Sequence, residues 1–386
     1  MNIGIDKMDF YTPAQYLDLV DLAQARKTDP NKYLIGIGQR QMAIPSLDQD
    51  AVVLAANAAE KILSAADRQQ IGLLIVATES GVDQSKAAAL FVQQLLQLSP
   101  YLRAIELKEA CYGGTAGLQL ARDFVAQHPQ QKALVLASDI ARYGLQTSGE
   151  VTQGAGAVAL LVSANPRILA IAPDSVYQSQ NVNDFWRPNY SQEAMARGKF
   201  SEEVYLKMFQ NLWTQAQAQK LWQPADLQAL LCHLPFSKMG LKAVRSLQGQ
   251  LASVDYERLM RRFQASVQYG QVVGNIYTGS LYLSLISLLD HDTSLQAGDQ
   301  LACYSYGSGA VAELFTGTLV AGFQEQLHPH SHQKMLAQRQ RLTIAEYEAE
   351  FQQQLVTDGS TQELTQSDPT APHYLTKVEA HQRFYV

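Results

Sequence analysis

The sequence predicts an α/β fold composed of two similar halves. Two observations support this prediction: strand-like and helix-like segments alternate along the chain, and similar segments recur in the same order in both halves. The length of 386 residues and the apolar content of 47% provide enough material for a large buried core. A compact folded enzyme is therefore expected, rather than a disordered or fibrous chain.

The alternating segments are of two kinds. Short apolar runs bounded by turn residues predict buried strands, and longer amphipathic segments predict helices. Such alternation is typical of layers in which helices cover strands rich in Val, Ile and Leu. The predicted strands are residues 71–78, 133–138, 155–162, 168–173, 229–233, 300–305 and 310–316. The predicted helices are residues 50–65, 86–98, 115–127, 202–219, 237–247, 255–267 and 279–289.

Two pairs of similar segments are separated by nearly the same distance. Residues 154–161 resemble residues 307–314, at an offset of 307 − 154 = 153, and both pass from a glycine-containing turn into an apolar run. Glu79 and His233 each end an apolar run, at an offset of 233 − 79 = 154. A period of this length suits two fused units of similar topology better than a solenoid.

A third pair completes the pattern. Cys111 and Asn275 each precede a segment containing Tyr, Thr and Gly, at an offset of 275 − 111 = 164. Three matches in the same order favour duplication over the chance recurrence of Gly-Ala-Val runs. We expect an N-terminal half, residues 1–165, and a C-terminal half, residues 166–386.

Composition and charge exclude several classes of protein. The net charge of −6 and the pI of about 5.8 argue against a nucleic-acid or anionic-membrane partner. No metal-ligand spacing, nucleotide-binding motif, signal peptide or membrane-length apolar run is found in the sequence. Cys111, Cys232 and Cys303 lie far apart and form no disulfide framework. We expect a cytoplasmic protein without a metal ion.

Cys111 is the strongest candidate for a nucleophile. It lies between an extended apolar stretch, residues 102–107, and a glycine-rich helix start. The positive end of a helix favours a thiolate, and free backbone N–H groups there can hold an oxyanion. Cys232 and Cys303 lie in apolar strand contexts and are expected to be inert.

Glu79 and His233 are the candidate proton-transfer and hydrogen-bonding groups. Glu79 follows a buried strand, where α/β sites gather, and a carboxylate withdrawn from water can act as an acid or base. His233 leaves another buried strand into a turn containing Pro235 and can polarise a carbonyl group. Taken singly, each is more often a solvated or structural residue.

Further residues have a functional and an ordinary interpretation. Lys238 and Lys242 lie four apart on a predicted helix and can grip phosphates, although an exposed charged helix face is commoner. Ser308 lies in a Tyr-Gly-Ser-Gly turn that can present a backbone N–H to a carbonyl oxygen.

The motifs together resemble one known family. They are Ala110-Cys111-Tyr112-Gly113-Gly114-Thr115-Ala116, Asp139-Ile140-Ala141-Arg142-Tyr143, Asn183-Asp184-Phe185-Trp186-Arg187-Pro188, Gly198-Lys199-Phe200-Ser201, His233-Leu234-Pro235-Phe236 and Gly274-Asn275-Ile276-Tyr277-Thr278-Gly279-Ser280. In this order they resemble the bacterial-type 3-hydroxy-3-methylglutaryl-CoA (HMG-CoA) synthases over nearly the whole chain.

The resemblance implies a fold, an activity and partners. The fold is the thiolase-like fold, with two duplicated α/β halves in five layers, αβαβα, in a homodimer. The activity is the condensation of acetyl-CoA with acetoacetyl-CoA to HMG-CoA and CoA, an acyltransferase step of the mevalonate route to isoprenoids. CoA thioesters are the substrates, and no separate cofactor is implied.

The resemblance also implies roles for individual residues. Cys111 takes the acetyl group, Glu79 is the general acid/base, and His233 binds and polarises acetoacetyl-CoA. The remaining implied positions bind substrate: Tyr143, Thr152, Phe185 and Ser201 in the acyl and pantetheine channel, Lys238 and Lys242 near the CoA phosphates, and Asn275 and Ser308 at carbonyl oxygens. The Glu-Ala-Cys sequence follows the bacterial style rather than the eukaryotic Asn-Ala-Cys.

Three alternatives remain at this point. A ketoacyl synthase that initiates fatty-acid synthesis would use Cys111, His233 and Asn275, but it does not need a carboxylate at Glu79. A biosynthetic thiolase would need a second cysteine in the turn occupied by Ser308. A non-catalytic acyl-CoA-binding protein with this fold is a third possibility. The sequence also leaves open whether the acceptor is bound to CoA or to a carrier protein.

Overall fold

The computed structural model describes residues 1–191 and 193–386. In this part of the chain the strands are β1 (Ile3–Tyr11), β2 (Gln15–Asp18), β3 (Gln41–Ile44), β4 (Ile71–Ala77), β5 (Arg103–Leu107), β6 (Lys132–Ala141), β7 (Gly154–Ala164), β8 (Leu169–Ser179), β9 (Phe185–Trp186), β10 (Met195–Ala196), β11 (Leu227–Cys232), β12 (Gln300–Gly307), β13 (Val311–Leu319), β14 (Gln340–Arg341), β15 (Gln362–Glu363), β16 (Leu375–Glu379) and β17 (Gln382–Tyr385). The α-helices are α1 (Leu19–Ala25), α2 (Ala51–Glu60), α3 (Ala65–Gln70), α4 (Ala88–Leu95), α5 (Gly113–Gln127), α6 (Gly198–Ala218), α7 (Ser237–Arg245), α8 (Ser253–Ser266), α9 (Gly270–Val273), α10 (Ser280–His291), α11 (Pro329–Ala337) and α12 (Ile344–Gln352).

Nine strands form one large sheet in the order β11-β12-β13-β8-β1-β7-β6-β4-β5. β1 joins its two parts. It pairs with β7 along most of its length, and on its other side it pairs with β8 only through Gly4↔Ala170 and Ile5↔Leu169. The short contact lets the two parts of the sheet diverge, so that helices fit between them.

The two parts of the sheet repeat one topology. The order β4-β6-β7-β1 corresponds to the order β11-β12-β13-β8. In each set the first pair of strands is parallel and the next two pairs are antiparallel. This agrees with the repeated segments in the sequence, and the proposed boundary near Asn165-Pro166 falls in the β7–β8 connection.

Three apolar clusters hold five layers of helices and strands together. The central cluster packs α5 and α10 between the inner faces of the two parts of the sheet. A second cluster packs α2 and α4 over the outer face of β4, β6 and β7. A third packs α6, α7 and α8 over the outer face of β11, β12 and β13. The five-layer αβαβα arrangement expected from the sequence is therefore confirmed.

The glycines at the start of α5 allow the central helix to approach its neighbours closely. A Cβ atom on Gly114 would lie 2.4 Å from the carbonyl oxygen of Thr278, and one on Gly117 would lie 2.9 Å from Val135. Contacts this short exclude larger side chains. Gly114 is thus required for packing of α5 against the second half, and Gly117 for packing of α5 against β6.

The predicted strands and helices are all present, with boundaries shifted by a few residues. β1 was not predicted, although it is the central strand. Its apolar pattern is interrupted by Asp6, Lys7 and Asp9, whose charges are paired with Arg167, Asp67 and Lys61, respectively. Within the described residues, no helix is long and apolar enough to cross a membrane.

Candidate active site

A cavity of about 390 Å³ lies where the two halves meet. Cys111 from the first half and His233 from the second half both line it. Cys111 precedes α5, and His233 follows the carboxyl end of β11. Carboxyl ends of parallel strands and amino ends of central helices are where α/β folds place reactive groups.

The backbone of the Cys111 turn adopts an uncommon conformation. Ala110 has a φ of 44°, in the left-handed region, and Tyr112 is the N-cap of α5. The β12–β13 turn packs directly on this segment, since a Cβ atom on Gly307 would lie 2.6 Å from the backbone nitrogen of Tyr112. The Cys111 thiol therefore lies where the first half packs against the second.

The Cys111 thiol donates a hydrogen bond to Oε1 of Glu79 at 3.1 Å. Burial raises the pKa of Glu79 to about 8, and the nearby Asp139 carboxylate adds to the shift. Burial and the Glu79 charge also raise the pKa of Cys111 well above its usual range. The expectation of a helix-stabilised thiolate is therefore wrong: desolvation and a neighbouring carboxylate outweigh the helix terminus. The thiol needs a base, and Glu79 is in position to be one.

Asp139 anchors the Glu79 loop. This buried carboxylate accepts hydrogen bonds from the Glu79 backbone N–H at 2.7 Å and from the hydroxyl groups of Thr78 and Ser80 at 3.1 and 2.9 Å. From the second half, Thr278 donates its backbone N–H at 3.1 Å and its hydroxyl at 2.6 Å. Burial raises the pKa of Asp139, although these donors oppose the shift. One carboxylate thus fixes Glu79 relative to both halves.

His233 is a neutral donor or acceptor rather than a charge. It is 2% exposed, and burial lowers its pKa to about 3. Its backbone N–H donates to the Tyr304 carbonyl at 2.8 Å, and its carbonyl accepts from the Tyr205 hydroxyl at 2.9 Å. Nδ1 is buried without a hydrogen-bond partner among the described residues. The residue also lines the cavity, where a polar ligand atom could meet its side chain.

Aromatic rings and an amide form one wall of the cavity. Tyr143, Phe185 and Tyr277 pack edge to face, with ring centroids 5.9 to 6.1 Å apart. Asn275 donates from Nδ2 to the Tyr143 hydroxyl at 3.3 Å, while Oδ1 accepts from the backbone N–H of Tyr277 and the Ser280 hydroxyl. Because Oδ1 is already occupied, the amide presents its NH₂ side toward the Tyr143 side of the cavity.

Asp184 connects several of the segments that line the cavity. Its buried carboxylate accepts hydrogen bonds from the Tyr306 hydroxyl at 2.6 Å, the Ser201 hydroxyl at 3.1 Å and the Gly309 backbone N–H at 2.9 Å. Through these contacts the β12–β13 turn, which contains Ser308, is tied to the start of α6. Ser308 itself lines the cavity.

The structure brings most of the sequence-predicted residues together. Those that line the cavity are Cys111, Tyr143, Thr152, Phe185, Ser201, His233, Asn275 and Ser308. Glu79 lies behind Cys111, within hydrogen-bonding distance of it. Lys238 and Lys242 do not belong to the lining in the described structure, and Lys242 pairs with Glu202. The binding role of the two lysines stays a prediction.

Sequence reasoning assigned no site role to three well-placed groups: Asp139, Asp184 and Tyr277. Asp139 belongs to the end of a buried apolar run, the same pattern that identified Glu79. Asp184 and Tyr277 lie in motifs that carry the family resemblance, but they end no buried apolar run, and only the fold shows their place at the cavity. Over residues 1–191 and 193–386, no group of three or more His, Cys, Asp or Glu side chains could hold a metal ion.

Comparison with protein families gives two matches. The family described as hydroxymethylglutaryl-coenzyme A synthase N terminal matches residues 1–167. The family described as hydroxymethylglutaryl-coenzyme A synthase C terminal matches residues 243–386. Together they span more than half of the chain.

Individual relatives agree with these matches. The hydroxymethylglutaryl-CoA synthase of Enterococcus faecalis is 50% identical over 358 residues, which are 93% of this chain and 94% of the relative. A crystal structure of HMG-CoA synthase complexed with CoA has a TM-score of 0.97 at 44% identity, covering 100% of this chain and 99% of that chain. A structure of MvaS in complex with 3-hydroxy-3-methylglutaryl coenzyme A has a TM-score of 0.89 at 35% identity, with the same coverage.

Proposed function

The chain belongs to the hydroxymethylglutaryl-CoA synthase family, and from this premise we propose a residue-level mechanism for the reaction that it catalyses. The enzyme condenses acetyl-CoA with acetoacetyl-CoA to HMG-CoA and CoA, a step of the mevalonate pathway. The thiolase-like fold of the family agrees with the five layers described above. The observation that carries the mechanism is the 3.1 Å contact between the Cys111 thiol and Glu79 beside the cavity that His233 lines.

The first step acetylates Cys111. Glu79 accepts the thiol proton as Sγ attacks the thioester carbon of acetyl-CoA. The bond from that carbon to the CoA sulfur breaks, and CoA leaves as the thiol after the proton returns to it. The backbone N–H groups at Cys111 and Ser308 hold the transient oxyanion.

The second step forms the carbon–carbon bond. With its carboxylate restored, Glu79 removes a proton from the methyl group of acetyl-Cys111. The resulting enolate attacks the ketone carbon of acetoacetyl-CoA, and the new alkoxide takes up the proton that Glu79 removed from the methyl group. His233 donates a hydrogen bond to the ketone oxygen, and Asn275 supports the neighbouring carbonyl through its NH₂ group. Water then hydrolyses the Cys111 thioester and releases HMG-CoA.

A neutral His233 suits this role. An imidazolium ion near Glu79 would stabilise the carboxylate and weaken it as a base. Burial holds the pKa of His233 at about 3, so the ring remains an uncharged donor throughout the working range of pH. His233 lines the cavity, which supports a direct contact of this residue with substrate.

The remaining substrate contacts follow from the shape of the cavity. Tyr143, Thr152, Phe185 and Ser201 line the passage that would hold the acyl and pantetheine groups. Lys238 and Lys242 lie on α7, whose first turn lines the cavity, and they would meet the CoA phosphates outside it. We further propose that the enzyme is a cytoplasmic homodimer.

Product analysis tests the proposed function. Incubation with acetyl-CoA and acetoacetyl-CoA is expected to yield HMG-CoA and free CoA, whereas Cys111→Ala yields neither. With acetyl-CoA alone, intact-mass analysis is expected to show one acetyl group on Cys111. The matched control is Cys303→Ala, which removes a buried thiol outside the cavity and should keep the adduct. A parent enzyme with an unmodified Cys111 would overturn the mechanism and favour a binding protein.

A further inference from the structure

Glu313 is a buried acid that the mechanism above does not use. It lies on β13 and is 3% exposed. One carboxyl oxygen accepts a hydrogen bond from the Tyr112 hydroxyl at 2.7 Å, and the other accepts one from Nε2 of Gln119 at 2.7 Å. Both donors belong to the N-cap or body of α5, so a carboxyl group of the second half grips a helix of the first half.

The two donors differ in their distance from the nucleophile. Tyr112 follows Cys111 directly and is the N-cap of α5. Gln119 lies seven residues further along, on the same face of the helix. Glu313 therefore contacts the nucleophile turn through Tyr112 and the helix body through Gln119.

The strand that carries Glu313 also positions Ser308. β12 and β13 form a hairpin whose turn brings Ser308 to the cavity. The same hairpin meets the Cys111 turn at Gly307, where a Cβ atom would lie 2.6 Å from the Tyr112 nitrogen. The hairpin and the nucleophile turn are thus in contact at two points, the Gly307 backbone and the Glu313 side chain.

We propose that Glu313 is a positioning residue that fixes the Cys111 turn relative to the Ser308 turn. This inference rests on the proposed function, in which the backbone N–H groups of these two turns hold the thioester oxygen. Stabilisation of an oxyanion depends on donors placed in advance, and a displacement of about 1 Å can cost on the order of a hundredfold in rate. The Glu313–Tyr112 hydrogen bond joins the strand that follows the Ser308 turn to the residue that follows Cys111.

The chemistry of the pair favours a permanent contact. Burial and the Glu313 carboxylate both raise the pKa of Tyr112 above its usual value, so the phenol stays protonated and keeps donating. A hydrogen bond to a carboxylate is stronger than one between neutral groups. The contact is expected to persist through both half-reactions.

The test separates positioning from simple packing. The rate constant for acetylation of Cys111 is measured in a single turnover with acetyl-CoA, together with the KM for acetyl-CoA and the melting temperature. Tyr112→Phe and Glu313→Met are expected to slow acetylation about tenfold, the effect of one lost hydrogen bond to a charged group, with KM changed less than about twofold. Glu313→Gln keeps an acceptor of the same shape and is expected to restore most of the rate.

Gln119→Leu is the matched control. It removes the other hydrogen bond to Glu313 without touching the nucleophile turn, so it is expected to lower the melting temperature while acetylation stays within about twofold of the parent. The double variant Tyr112→Phe/Glu313→Met is expected to acetylate no more slowly than either single variant, because each single variant already removes the Glu313–Tyr112 hydrogen bond.

Two outcomes would overturn the assignment. Acetylation at the parental rate in Glu313→Met and Tyr112→Phe would show that the contact does not position the turn. Equal slowing in Gln119→Leu and Tyr112→Phe would reduce Glu313 to a packing role. If Glu313→Met fails to fold, Tyr112→Phe tests the same contact from its other side. Absence of acetylation in the parent enzyme would instead contradict the proposed function.

Discussion

Oε1 of Glu79 accepts a hydrogen bond from Sγ of Cys111 at 3.1 Å, so the base and the nucleophile form a single unit. This arrangement lets one carboxylate act in both steps of the condensation. The carboxylate first takes the thiol proton, and it is then next to the acetyl group that the sulfur carries. Burial raises the pKa of both groups, so the carboxylate form of Glu79 that accepts the thiol proton becomes more populated as the pH increases.

Replacement of Glu79 by Gln is expected to abolish condensation while leaving Cys111 able to react slowly with acetyl-CoA. The amide keeps the shape of the side chain but cannot accept a proton from the acetyl methyl group. The expected loss in the overall rate is at least about 10² to 10⁴-fold. Product formation and the acetyl adduct are measured in parallel.

Glu109→Gln is the control for this prediction. Glu109 is two residues from Cys111, in the same turn, and the hydrogen bond of the thiol goes to Glu79 instead. The Glu109 charge is the smallest of the contributions to the raised pKa of Glu79, so its replacement should leave both half-reactions within about twofold of the parent. Normal turnover in Glu79→Gln would remove Glu79 from the role of base.

The pH dependence of condensation should follow the ionisation of Glu79. Its pKa is raised to about 8, so the carboxylate is mostly protonated at neutral pH and becomes the active base as the pH increases. The rate is expected to rise through pH 8 and then level off. His233, with a pKa of about 3, should add no second step near neutrality. A profile that falls with increasing pH in this range would contradict the assignment.

Removal of the Asp139 charge should shift that profile. Asp139 raises the pKa of Glu79 through the repulsion of two nearby carboxylates. Asp139→Asn keeps the size of the side chain and part of its hydrogen bonding, so the Glu79 pKa is expected to decrease and the rise in rate to move to lower pH. The pH–rate profile is measured for parent and variant, together with circular dichroism to check folding.

The stability of the Asp139 variants toward urea provides a second measurement of the role of this residue. The Asp139 carboxylate accepts hydrogen bonds from Thr78, Glu79, Ser80 and Thr278. Asp139→Ala would leave several buried donors unsatisfied, each at about 1–3 kcal/mol. A large fall in the midpoint of urea unfolding is expected for this variant and a smaller one for Asp139→Asn. An unchanged pH profile in Asp139→Asn would show that the Glu79 pKa is set by burial alone.

The sequence predicted the architecture well because the signals are local. Apolar runs such as residues 71–78 and 133–138 mark buried strands, and the repeated segments revealed the topology that both halves share. β1 escaped prediction because its charges at Asp6 and Asp9 are neutralised by residues distant in sequence. The local sequence pattern does not indicate which distant residue neutralises a charge.

The candidate site was predicted in part for the same reason. Cys111, Glu79 and His233 stand at the ends of recognisable elements, and the fold brings them to one place. Asp184 lies in a motif that carries the family resemblance and Glu313 lies in a repeated segment, but neither pattern indicates the contacts that these carboxylates make in the folded protein. The ionisation of Cys111 was predicted in the wrong direction because burial and the Glu79 carboxylate act only in the folded protein.

A buried histidine is expected to make stability depend on pH. Nε2 of His332 lies 3.1 Å from Asp9, and Nδ1 lies 2.6 Å from Asp290. Burial lowers the pKa of His332, but the hydrogen bonds to Asp290 and Asp9 outweigh it, so the pKa is raised above 6.5. Lys61 and His328 also face Asp9 in this cluster, which joins β1, α10 and α11.

The direction of the pH dependence of stability follows from the difference in the pKa of His332 between the folded and unfolded states. Because the folded-state pKa of His332 is the higher one, its contribution is fully present below pH 6.5 and is lost as the pH rises through the raised value. The melting temperature is therefore expected to decrease on the alkaline side of neutrality. His332→Leu leaves two buried carboxylates without this partner and should cost about 3–5 kcal/mol at neutral pH, while also weakening the pH dependence. His328→Gln, which alters an exposed neighbour of the same Asp9, should retain it. A parent enzyme whose melting temperature increases from about pH 6 to about pH 9 would show that His332 is not protonated between the two carboxylates.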